Sequence, residues 1–165
     1  MIAKEKLFER TNVALTQIRG AILIPNRTRL NFNSAVNISI EHIAIPSPDP
    51  AGLKTWYERV LGAREIFNNG QQPPTFLIGL PGGGWFEIYA SDGVPENRRN
   101  NKLAGFRHIA LRVDSLATAR AELEKRGVKF SEPERPAAGG GKVQFFEDCE
   151  GNLLHLVERQ AGGVL

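Results

Sequence analysis

Three histidines and one glutamate have the types and the spacing for metal chemistry. His42 lies in Glu41-His42-Ile43-Ala44-Ile45, and His108 in Arg107-His108-Ile109-Ala110-Leu111, the same pattern displaced by 66 residues. His155 lies in Leu153-Leu154-His155-Leu156-Val157, and the corresponding place in Trp85-Phe86-Glu87-Ile88-Tyr89 is Glu87, 68 residues earlier. A carboxylate between aromatic and aliphatic neighbours is costly to bury unless it is paired or binds a metal. Three imidazoles and one carboxylate suit one divalent first-row ion: Zn, Ni, Fe, Mn or Co. Such a set keeps one net positive charge, which favours stabilising an enolate or alkoxide as it forms on a substrate. Glu87 and His155 are then the candidates to move a proton.

The elements that must position these residues also repeat. After each first strand comes a loop with an acidic residue, Asp49 or Asp114, and then a helical pattern. The first helix, about Ala51 to Leu61, is expected to bury Leu53, Trp56, Tyr57, Val60 and Leu61; the second, about Leu116 to Arg126, Leu116, Ala119, Ala121 and Leu123. Gly62 and Gly127 stand where a helix C-terminus takes a left-handed residue. A β-run follows each: Arg64 to Phe67, and Val128 to Phe130. Two more strands complete each half, Thr75–Leu80 with Trp85–Tyr89 and Lys142–Phe146 with Leu153–Val157. Each half is therefore βαβββ, and all three histidines are expected on strands. Asp148 to Asn152 reads as a turn, with Cys149 as a turn residue rather than a nucleophile. The triple glycines at Gly82–Gly84 and Gly139–Gly141 precede neither a helix nor a Lys-Ser/Thr pair, so they are connections rather than phosphate cradles.

Composition narrows the function classes. The chain has 165 residues, enough for one domain. Its single cysteine excludes a disulfide framework and a Cys-rich zinc module, and suits a reducing, cytoplasmic setting. No apolar run approaches a membrane span, and no secretory signal is expected. The net charge is +3, but the excess is confined to residues 1–36, with six basic side chains against two acidic ones. The rest has 15 basic and 16 acidic residues, and the basic segment lacks interleaved aromatics, so nucleic acid is not an expected partner. Residues 1–37 read as an extension, a short helix over 4–18 and an extended segment at 21–24, serving as a structural arm. Modules 38–92 and 104–159 make up a domain over 38–159, followed by a short tail, 160–165.

Taken together, these motifs resemble the vicinal oxygen chelate superfamily, the glyoxalase/bleomycin-resistance/dioxygenase group. The resemblance is carried by His42-Ile43-Ala44-Ile45, Trp56-Tyr57-Glu58-Arg59-Val60-Leu61-Gly62, Gly105-Phe106-Arg107-His108-Ile109-Ala110 and Phe146 to Glu158. It implies an α+β fold of two paired βαβββ modules forming a curved mixed sheet around a metal-bearing cleft. It also implies one divalent metal on His42, Glu87, His108 and His155, and a homodimer. The lactoylglutathione lyases of this group normally have Glu where His155 stands. The implied function is a metal-dependent lyase or isomerase acting on a small molecule with vicinal oxygens through an enediolate-like intermediate. A non-haem dioxygenase and a non-catalytic binding or resistance module are the alternatives. Phe76, Trp85, Tyr89 and Phe145 are candidate cavity-lining aromatics, and Arg98 a candidate for an anionic substrate tail.

Overall fold

The computed structural model describes residues 38–94 and 100–161. The expected N-terminal arm and Arg98 lie outside the described residues. The chain divides into Met1–Ile38 and Ser39–Leu165, and the second unit holds every element considered below.

Each module begins with a strand and a capped helix. In the first, β1 (His42–Ser47) leads to α1 (Pro50–Leu61). Asp49 caps α1, its Oδ1 accepting from the Gly52 backbone at 3.0 Å, and Pro50 occupies the first turn, where its missing N–H costs nothing. Gly62 ends α1 at φ +70°, a conformation that strains any side chain, while Gly62 N and Ala63 N donate to Glu58 and Tyr57 carbonyls. The sheet continues with β2 (Arg64–Asn68), β3 (Phe76–Gly79) and β4 (Trp85–Ala90). In the second module, β5 (Ile109–Val113) leads to α2 (Leu116–Lys125), followed by β6 (Arg135–Pro136), β7 (Lys142–Glu147) and β8 (Leu153–Glu158). Ser115 caps α2 through Thr118 N. Glu158 Oε2 takes the Leu116 N–H at 2.7 Å, tying the helix start to the last strand.

The two sheets have the same topology, β1-β4-β3-β2 and β5-β8-β7-β6. In each, the first and last strands pair in parallel and the others antiparallel. Strand alternation sends Ile45, Phe76, Ile78, Phe86 and Ile88 under α1, and Leu154, Leu156 and Phe146 under α2. The buried residues of both modules form one continuous cluster.

Several expectations are corrected. Val128–Phe130 is not a strand: Val128 N donates to Leu123 O at 3.0 Å, so its N–H closes the helix end and is lost to a ladder. The edge strand forms later, at Arg135–Pro136. Ala121 is exposed, and Trp56, Leu61 and Ala119 are only partly buried. His108 stands one residue ahead of β5 rather than within it.

Candidate metal centre

The register places the candidate ligands in two matched pairs. On the first sheet Ala44 lies opposite Glu87, so His42, two residues before Ala44, reaches Glu87 diagonally, with Nε2 and Oε2 3.6 Å apart. On the second sheet Ala110 lies opposite His155, and His108, two residues before Ala110, stacks beside it with ring centroids 4.7 Å apart. Side chains two apart share a face, so each pair projects from the side of its sheet turned away from its helix. The fold thus repeats a donor pair at the same diagonal of the same two strands. Among the described residues, no three His, Cys, Asp or Glu side chains converge, so the two pairs do not meet within the chain.

The surroundings fit imidazole ligands. His42 Nδ1 bonds Glu41 Oε2, and His108 Nδ1 bonds Asn101 Oδ1 at 2.8 Å. Each of these rings is therefore oriented by an outer oxygen with its Nε2 left for a metal, the arrangement that second-shell partners give metal-bound histidines. The Glu41 hydrogen bond raises His42 above the ordinary histidine value, with the charges of Glu41 and Glu87 adding to it against partial desolvation. His155 is buried, and its Nδ1 is a buried polar atom with no hydrogen-bond partner. Burial, then the neighbouring charges of His108 and Arg159, push its imidazole down to about 4. It is therefore neutral at pH 7, the form that binds metal. An orphaned nitrogen in a neutral ring, beside the imidazole of His108, has the chemistry of a ligand for a divalent first-row ion.

The candidate substrate-binding residues separate. Trp85 and Tyr89 alternate with Phe86 and Ile88 and share the face of Glu87; Trp85 is 40% exposed. Phe145 stands edge-on to both His108 and His155. It lines a cleft of about 270 Å³ together with Asn101, Ser131, Glu132, Arg135 and Glu147. Phe76 instead faces the core at 5% exposure. It shares a strand face with Ile78, and aromatic type alone does not fix strand parity. Glu41, Asn101 and Arg135 are the contributors that sequence reasoning missed. Glu41 had a signal, its adjacency to His42; Asn101 had none, because it reaches His108 only through the fold of a loop. Arg135 lies 5.0 Å above the Phe145 ring and bonds Glu132. Cys149 is an exposed turn residue whose thiol is pushed up to about 11 by burial and the nearby Asp148 and Glu150 charges, so it stays protonated and poorly nucleophilic.

Comparison with known proteins agrees with this architecture. The uncharacterised protein YwkD of Bacillus subtilis is 29% identical over 124 residues, spanning 73% of this chain and 97% of that protein. The mitochondrial methylmalonyl-CoA epimerase of Bos taurus is 26% identical over 165 residues, spanning 89% of this chain and 83% of that enzyme. A glyoxalase family protein from Enterococcus faecalis superposes with a TM-score of 0.62 at 28% identity, covering 73% of this chain and 97% of the other. The fosfomycin resistance protein FosX of Listeria monocytogenes, in a complex with Mn(II) and 1S,2S-dihydroxypropylphosphonic acid, shares the fold at a TM-score of 0.57 and 20% identity, covering 76% and 93%. The model of the Glyoxalase/Bleomycin resistance protein/Dioxygenase superfamily matches residues 39–156, and the chain belongs to that superfamily.

Proposed function

We propose that this protein is a metal-dependent isomerase or lyase of the glyoxalase type, moving a proton beside a carbonyl oxygen of a small molecule. His42, Glu87, His108 and His155 are its metal ligands. The observation that carries this reading is the pairing of donors at one repeated diagonal, with the orphaned His155 Nδ1 in one of the two pairs. A bound divalent ion supplies positive charge against which negative charge on a substrate oxygen is stabilised.

The chain's own residues divide the remaining work. Glu87 is the proton carrier: it is half-buried on an open face, beside Trp85 and Tyr89, where a substrate can reach it. His155 is enclosed and serves as ligand rather than base. Trp85, Tyr89 and Phe145 offer apolar surface for the substrate body. Arg135, at the cleft beside Phe145, meets a negatively charged substrate group.

Similarity to methylmalonyl-CoA epimerases makes an acidic α-proton next to a thioester the first substrate class to try. The metal-loaded protein is incubated with methylmalonyl-CoA in D2O, and deuterium at the α-carbon is followed by NMR. A glutathione hemithioacetal is run in parallel for the lyase reaction. Exchange or isomerisation that requires metal supports the reading. Iron-dependent O2 uptake in place of proton exchange would move the protein to the dioxygenase class.

A further inference from the structure

The connection between β2 and β3 is built around Asn69-Gly70, the one Asn-Gly pair in the sequence. It extends the ladder by a rung beyond Asn68 and Phe76, with the Asn69 N–H donating to the Thr75 carbonyl at 3.1 Å. Two overlapping Asx turns then fold the chain back. Asn68 Oδ1 accepts from the Gly70 N–H at 2.9 Å, and Asn69 Oδ1 from the Gln71 N–H at 3.1 Å. Asn69 Oδ1 takes a second backbone donor, the Thr75 N–H at 3.0 Å. Asn68 and Gly70 are exposed and Asn69 is half-buried, so water reaches the turn.

These bonds do more than shape a loop. The ring closed by the bond from Gln71 contains both Cγ of Asn69 and the backbone nitrogen of Gly70. It holds the side-chain amide folded back on the peptide that follows it. Two N–H groups on one carbonyl oxygen draw charge from Cγ and stand ready for a negative oxygen there, as in an oxyanion hole. Among the described residues, no hydrogen bond holds Asn69 Nδ2. Gly70, at φ +69°, puts no Cβ beside its nitrogen, and nothing lies within 4 Å of where one would stand. A nucleophile, an electrophile, donors for the oxyanion and a free leaving group thus share one turn.

We propose that Asn69-Gly70 is a site of spontaneous covalent modification. The Gly70 nitrogen attacks Asn69 Cγ and gives its proton to water; the Cγ–Nδ2 bond breaks, and ammonia leaves behind a cyclic succinimide. Water then opens the ring on one of two sides. Cleavage of the new Cγ–N bond gives aspartate, and cleavage at the main-chain carbonyl gives isoaspartate, with the backbone routed through Cβ. In sum, one amide and one water become one carboxylate and one ammonium ion, with no oxidant and no cofactor. Aspartate keeps the acceptor for Gln71 and Thr75. Isoaspartate adds a methylene to the main chain and displaces the rung to Thr75. That change comes two residues from Phe67, which stands in one row with Leu77 and Glu87 across the sheet.

Ageing the full-length protein tests this directly. It is held folded in warm, mildly alkaline buffer beside a synthetic peptide of residues 65–76, which has the sequence without the turn. Peptic mapping by mass spectrometry follows the gain of about 1 Da at each asparagine. Methyl transfer from S-adenosylmethionine by an isoaspartyl carboxyl methyltransferase counts the isoaspartate. Asn69 is expected to convert in the folded protein at least as fast as in the peptide, ahead of every other asparagine of the described residues. Asn69→Asp should show no further gain there, and Gly70→Ala should lose most of the conversion, with circular dichroism melts establishing that each variant folds. Folded protein that keeps Asn69 while the peptide converts overturns the inference, because the turn then shields the amide. Gly70→Ala protein that converts at the wild-type rate overturns it as well. Where Gly70→Ala does not fold, the comparison of protein with peptide still decides.

Discussion

Glu41 and Glu87 both contact the ring of His42, yet their expected roles differ. Glu87 lies beside Nε2 of His42, where the proposed metal and substrate would sit, whereas Glu41 bonds the Nδ1 on the other side of the ring. Glu87→Gln is expected to lower proton exchange by roughly 10²- to 10⁴-fold, the scale of a lost general base, with an unchanged circular dichroism spectrum because the side chain is partly exposed. Glu41→Gln is expected to weaken metal binding by about 10- to 100-fold, the usual effect of removing an outer partner of a ligand. It should leave turnover near wild type once metal is saturating. Competition with a chromophoric chelator measures the first quantity, and turnover against metal concentration the second. Equal metal affinity in Glu41→Gln and wild type would reduce Glu41 to a surface pair. A Glu87→Gln protein that still exchanges the proton at full rate would move the base to another group.

At the scale of elements, the Asp148–Asn152 turn is both a β7–β8 connection and the socket for the other module. Asp148 is buried, and its carboxylate accepts from the backbone of Glu150 and Asn152, from the Asn152 amide, and from Tyr57. Burial and the Asp148 charge raise Tyr57 well above the ordinary phenol value, so its hydroxyl remains a donor across the whole working pH range. Tyr57→Phe keeps the ring contact with Phe86 and removes only this hydrogen bond. A bond to a charged group contributes about 1.5–3 kcal/mol; three other donors remain on Asp148, which favours the lower end. Urea unfolding should show a loss of roughly 1.5 kcal/mol, and an unchanged midpoint would mean that the socket is held by packing alone. The turn was legible in its Asp, Gly and Asn, but its partner was not, because nothing in Trp56-Tyr57 marks which residue of the other module its hydroxyl meets. The helices were legible in their apolar spacing and in Gly62 and Gly127 at their ends, whereas the cap of α2 is Ser115 rather than the acidic Asp114 before it. The repeat made the donors legible as corresponding positions, while their register needed the paired strands. The edge strand at Arg135–Pro136 was not legible: Val128 and Phe130 have strand-forming side chains, but one closes the end of α2 and the other packs on Phe146 at 5.4 Å between ring centroids.

For the whole molecule, the proposed ligand set couples metal binding to stability. A ligand that binds only the folded form stabilises it by about 2.7 kcal/mol at a hundredfold excess over its dissociation constant. In a domain of this size each kcal/mol moves the melting temperature by roughly 3–5 °C, so added metal should raise it by about 10 °C and a chelator should reverse the gain. His42→Ala should lose most of the shift.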